Sequence, residues 1–209
     1  MLTHKRVIMI YNCYSYPNDR LKSGDLVFFK PKTIFESGFA SAILDSSPTG
    51  KAFYHVAMVI RVENNLLFLL DATPLRGTEI LEYNNLCKTH GFFHDIEVMR
   101  VNLPAHKITT AVNNAVNLVG SEYNDLFSPE FINSKGKISF YCSQIIQYVF
   151  NMAAWGEIFS DIPMNFKDHT GEISQYWQYY YEGRSAIVPQ DAPGTHPASI
   201  YESESLMCF

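Results

Sequence analysis

The sequence predicts an α+β fold, with strands in the middle of the chain and a helix after them. Three observations carry this expectation. YHVAMVIRV (54–62) and LLFLLDAT (66–73) are apolar, β-branched runs separated by Glu63-Asn64-Asn65, the pattern of a buried hairpin. TEILEY (78–83) and DIEVMRV (95–101) alternate as strands do. ITTAVNNAVNLVG (108–120) and the run from Cys142 to Trp155 instead space their apolar residues like helices.

Taken in order, GDLVFFK (24–30) reads as a strand opened by a Gly-Asp turn. IFESGFASAIL (34–44) has near-helical spacing. Residues 45–51, with Asp45, Ser46, Ser47, Pro48 and Gly50, read as a turn-rich loop. The hairpin and the two alternating strands follow. In the 108–120 helix, Ile108, Val112, Ala115, Val116 and Val119 form the apolar stripe, and Gly120 ends it. Residues 121–137 read as loop, and a second helix opens at about Cys142. GEISQYWQYYYEG (171–183) reads as an aromatic-rich helix that packs on the body. The stretch from Val188 is rich in proline (Pro189, Pro193, Pro197) and poor in apolar residues. A single domain over 1–187 with an extended or mobile tail over 188–209 is expected.

Composition excludes several classes. A chain of 209 residues, 47% hydrophobic, can bury a core without disulfide staples. Four cysteines (Cys13, Cys87, Cys142, Cys208) are too few for a disulfide framework and fit a reducing compartment. A net charge of −5, with no Lys/Arg run longer than two, argues against a nucleic-acid partner. The basic pair Lys5-Arg6 precedes an apolar stretch too short for a secretory signal, and no apolar run approaches the ~20 residues that span a bilayer. Cys208 is next to last, not fourth from the end as prenylation requires. A soluble, cytoplasmic protein is expected, its oligomeric state open.

Three residues carry candidate chemistry. Cys142 stands where a helix begins, and unpaired N–H groups there favour a thiolate, the nucleophilic form. Cysteine is also among the most buried residue types, so core packing competes. His55 opens an apolar strand, which would hold an imidazole rigidly as the base for a thiol; a water-facing strand end is the plainer reading. Asp71 ends a run of apolar residues and, in the hairpin, falls on the strand next to that of His55. There it can orient the imidazole, or simply begin the turn DATPLRG. A metal reading competes as well. CKTHGFFHD places Cys87, His90 and His94 as C-x2-H-x3-H beside Asp95, but lacks the usual partner pair, and Cys13 would come from far away. Phosphate-binding glycine loops and the G-x-S-x-G elbow are absent.

The order of these motifs resembles a known family. GDLVF, HVAMV, LDAT, GSEYNDLF and YCSQII, from about Gly24 to Phe150, are similar to the circularly permuted papain-like fold, in the YiiX/YebB-like branch of the NlpC-type cysteine hydrolases. There the histidine comes first and the cysteine opens a late helix. The resemblance implies a central antiparallel sheet or barrel, Cys142 as nucleophile, His55 as general base and Asp71 as the third residue of a triad, with no cofactor. It implies cleavage or transfer at an amide, ester or thioester, with a small peptide, lipid or acyl substrate. Four positions depart from the pattern. Asp71 stands for the usual Glu, Gln144 for Glu, Asn124 for Asp, and Tyr54 for a small residue before the histidine. A non-catalytic binding protein that keeps the papain-like groove, and a zinc-binding module, are the alternatives.

Overall fold

The computed structural model describes residues 10–12, 20–31, 38–64, 66–85 and 94–208. Its centre is an antiparallel sheet of β1 (Ile10–Asn12), β2 (Leu26–Pro31), β3 (His55–Glu63), β4 (Leu66–Thr73), β5 (Gly77–Glu82) and β6 (His94–Val101), in the order β1-β6-β2-β3-β4-β5. β2, β3 and β4 carry long apolar runs because both faces of the sheet are covered there. Leu26, Phe28, Val56, Met58 and Leu70 enter one core, while Val27, Phe29, Ala57, Val59 and Leu69 enter the other. Of the sheet and barrel expected, the sheet is observed, and among the described residues it stays open.

The hairpin forms where expected. β3 and β4 pair from Glu63↔Leu66 to Met58↔Leu70, and Asn64 takes φ 49 at the turn, a left-handed conformation that asparagine tolerates. β4 turns into β5 through Gly77, at φ +65, where a Cβ would lie 2.3 Å from the Ser121 carbonyl oxygen. Only glycine fits there.

The helices are α1 (Phe39–Asp45), α2 (Ala105–Asn117), α3 (Cys142–Ala154), α4 (Gln175–Glu182) and α5 (Pro197–Tyr201). α2 begins three residues before the expected 108, directly after Pro104. α3 buries Ile145, Ile146, Val149 and Phe150 between α2 and β3. The segment read as loop holds β7 (Glu122–Tyr123), which pairs in parallel with β8 (Ser139–Phe140) just before α3 and sets Tyr123 opposite Phe140. α4 packs as expected: Trp177 and Tyr181 are buried, with Phe127, Phe166 and Tyr180 around the indole.

The extended or mobile tail expected from residue 188 is not observed over 188–208. β10 (Pro193–Gly194) pairs with β9 (Ile162–Pro163), and β11 (Leu206–Met207) adds to β6 with Leu206 opposite Val101. Ala198, Ile200 and Tyr201 of α5 are buried; Tyr201 packs on Phe28 and Phe53 and donates its hydroxyl to Glu97 at 2.5 Å. Pro197 does not break structure here because it occupies the first turn of α5, where its missing N–H costs nothing. No helix among the described residues is long and apolar enough to cross a membrane.

Candidate active site

The site forms where β3 and β4 part. Beyond Met58↔Leu70, β3 continues to His55 against β2, and β4 continues to Thr73 against β5. Side chains alternate along a strand, so His55 falls on the face of Ala57 and Val59, and Asp71 on the face of Leu69. Asp71 reaches across the divergence, and its Oδ1 accepts from His55 Nε2 at 2.5 Å. The shorter side chain of aspartate thus reaches the imidazole. A carboxylate this buried is costly unless paired, and the imidazole is its partner.

Cys142 is the first residue of α3 and carries a free thiol. Its N-cap, Tyr141, is extended and gives no side-chain cap to the first-turn N–H groups. Those groups and the helix dipole favour negative charge there. Although only 7% exposed, Cys142 lines a cavity of about 300 Å³ together with His55. Burial alone would lower the pKa of His55. The Asp71 carboxylate and the Cys142 sulfur, through charge and hydrogen bonding, outweigh it and raise the value to about 10. With Nε2 engaged by Asp71, Nδ1 is the ring nitrogen left for the sulfur.

The three residues singled out in the sequence thus meet at one place. The cavity walls are mostly apolar, including Phe39, Ile43, Tyr54, Leu75, Tyr123 and Phe127. The C-terminal segment supplies another wall. Thr195 donates its N–H to the Tyr141 hydroxyl at 2.9 Å, and its own hydroxyl to Ser143 Oγ at 2.9 Å. His196 also lines the cavity. Its Nδ1 accepts from Ala198 N–H at 3.0 Å, so Nε2 carries the hydrogen and donates to the Ile43 carbonyl at 2.8 Å. Burial, opposed by that carbonyl, lowers its pKa to about 4. His196 is therefore a neutral brace, and both its nitrogens are used. The sequence signal that could have found it is His-Pro-Ala-Ser, a capping box with Ser199 reaching back to the His196 backbone.

Two departures from the family pattern turn out to be partners. Asn124 Nδ2 donates to Gln144 Oε1 at 2.9 Å, and Gln144 Nε2 donates to the Ser128 carbonyl at 2.9 Å. Asn124 Oδ1 accepts from Ser128 N–H at 3.0 Å. Two amides here satisfy each other as a carboxylate pair could only by sharing a proton. They tie the chain after β7 to the first turn of α3, beside Cys142.

The sequence over residues 20–209 matches the family described as permuted papain-like amidase enzyme, YaeF/YiiX, C92. The chain belongs to this family. Among solved structures, its fold is similar to the crystal structure of metalloprotein yiiX from Escherichia coli O157:H7, with TM-score 0.64 and 17% identity over 88% of this chain and 94% of that one. No curated protein matches the sequence. The match extends the resemblance through the C-terminal segment, in keeping with the packed α5 and β11.

That solved relative is called a metalloprotein. Among the described residues of this chain, no three His, Cys, Asp or Glu side chains gather to hold a metal ion. The C-x2-H-x3-H cluster falls on Cys87 and His90, which lie outside the described residues, as does Cys13; the side chain of His94 lies outside them too.

Proposed function

We propose that this chain is a cysteine-dependent hydrolase or acyltransferase that acts on an amide, ester or thioester through an acyl-enzyme on Cys142. Membership of an amidase family carries the hydrolase-type chemistry. The observation that supports the assignment of roles is the position of His55, bonded to Asp71 on one side and influenced by the Cys142 sulfur on the other, at a cavity wall. His55 takes the thiol proton and holds a thiolate–imidazolium pair. The thiolate attacks the carbonyl carbon, and the imidazolium protonates the leaving group as the acyl-enzyme forms. Water or another acceptor, deprotonated by His55, then releases the acyl group. Asp71 keeps the ring oriented and favours its charged form. The apolar walls favour a substrate that brings an uncharged group, lipid or acyl, to the sulfur.

Iodoacetamide labelling tests the couple. Cys142 is expected to alkylate faster near neutral pH than Cys208, whose sulfur lies 3.7 Å from Met99 Sδ, and His55→Ala is expected to abolish the advantage. Cleavage across amide, ester and thioester panels should vanish in Cys142→Ser. Equal labelling of Cys142 and Cys208, or turnover that survives Cys142→Ser, refutes the reading and favours a binding protein.

A further inference from the structure

Glu79 stands directly opposite Asp71 in the β4–β5 ladder. Such cross-strand partners share a face, with Cβ atoms about 4.5–5.5 Å apart, and like charges there destabilise a sheet. Glu79 is nonetheless drawn in: its side chain is 26% exposed, and its Oε1 is sealed from solvent. The guanidinium of Arg76, in the turn from β4 to β5, forms an ion pair with that oxygen. Burial raises the Glu79 pKa, Arg76 pulls it back, and the Asp71 charge pushes it up again, so the two carboxylates feel each other. Four charged groups thus run in a line from the turn to the cavity: Arg76, Glu79, Asp71 and His55. Arg76 balances one of the two adjacent carboxylates, and the protonated ring of His55 balances the other. Also around His55 are the Cys142 sulfur of α3 and the phenols of Tyr54 and Tyr123 on the cavity wall. On the far side of β5, Glu122 of β7 is engaged by Asn133 and Lys135.

Resting on the reading of Cys142 and His55 as nucleophile and base, we propose that Glu79 is a positioning residue that acts through Asp71: with Arg76 it forms an outer ion pair whose carboxylate, lying beside that of Asp71, keeps the His55 imidazole charged. That charge has two uses in the reaction. It pairs with the Cys142 thiolate before attack, and it supplies the proton that the leaving group takes. Neither Glu79 nor Arg76 lines the cavity, so their influence is exerted through the field at the ring. Glu79 adds negative charge behind Asp71, which favours the imidazolium, and Arg76 limits that effect. The two residues therefore act on His55 with opposite sign. A pair that merely braced the turn would not.

The opposed signs make the test. NMR of protein labelled with 15N-histidine follows the titration of the His55 ring, its signals assigned by their loss in His55→Ala. The native midpoint is expected near 10, where Glu79 is fully ionised. Glu79→Gln keeps the length of the side chain and removes its charge, and the midpoint is expected to fall by about 0.5–1.5 pH units, the effect of one charge acting through a half-buried site. Arg76→Gln leaves the Glu79 charge unopposed, and the midpoint is expected to rise by a similar amount. The double variant should return towards the native value. Shifts of one sign in both single variants, or no shift in Glu79→Gln, overturn the assignment of Glu79 and leave the nucleophile standing, provided Cys142 still alkylates ahead of Cys208. A lowered melting temperature with an unmoved midpoint assigns the pair to the turn and likewise overturns the proposal. If Glu79→Gln does not fold, Arg76→Gln decides alone: a midpoint that rises supports the proposal, and one that stays or falls overturns it. Failure of the native protein to alkylate Cys142 ahead of Cys208 with iodoacetamide overturns the nucleophile and the part of Glu79 together.

Discussion

Replacing His196 with alanine removes the brace that joins the C-terminal segment to α1. Two losses can be worked from the structure. The cap on Ala198 N–H disappears, at about 1 kcal/mol. The Ile43 carbonyl loses its 2.8 Å donor, at about 1–3 kcal/mol for a buried acceptor. The sum is about 2–4 kcal/mol, which at roughly 2–4 °C per kcal/mol for a chain of this size lowers the melting temperature by about 4–16 °C. The pH dependence adds a second signature. The folded pKa of His196 is lowered from 6.5 to about 4, so the unfolded chain binds the proton first. Its contribution is complete above 6.5 and is lost as pH falls through about 4. Thermal and urea melts between pH 8 and pH 4 of the native chain, His196→Ala and an exposed control, His106→Ala, measure both effects. Native and His196→Ala curves should converge as the pH falls. A His196→Ala cost within about 0.5 kcal/mol of the control at pH 8, or a gap that widens in acid, refutes the account of the brace.

Asp71→Asn keeps an acceptor for His55 Nε2 but removes the charge that most strongly raises the His55 pKa. The stability that this charge confers is complete below 6.5 and lost as pH rises through about 10, so the gap between native and variant melting temperatures should narrow towards pH 10; a constant gap argues against the ion pair. Gln144→Leu removes two hydrogen bonds at the start of α3, one of them buried, and should cost about 2 kcal/mol in urea melts; a neutral result would show the amide pair to be dispensable. Gly77→Ala meets both a left-handed backbone and the Ser121 carbonyl, and should cost about 2–5 kcal/mol. Gly136→Ala, at φ +71 with open space around it, should cost only about 1 kcal/mol, and equal costs would remove the steric argument.

What the sequence disclosed follows from how local each signal is. The strands and the hairpin turn were legible because alternation and turn chemistry are properties of adjacent residues, and α3 because its apolar residues recur at helical spacing. Cys142, His55 and Asp71 were each ambiguous alone, and their order along the chain, not their spacing, singled them out. The C-terminal segment was misread because its composition is that of a tail, while its burial comes from partners far away in sequence: Leu206 against Val101, His196 against Ile43, Tyr201 against Glu97. Nothing within the segment announces those contacts. The pairing of Asn124 with Gln144 was hidden for the same reason, since each looked like a separate departure from the family pattern. Tyr123 lay within a quoted motif, but only the fold sets its ring at the cavity wall.

The mutual satisfaction of Asn124 and Gln144 has a consequence for how the molecule meets a changing environment. Neither amide can gain or lose a proton in water, so the anchorage under Cys142 is deaf to acidity. The pH responses worked out above come from His55 with Asp71 and from His196, while the seat of the sulfur stays where it is. A relative with two carboxylic acids at these positions would have to carry a shared proton there, and would let its helix loosen once that proton was gone.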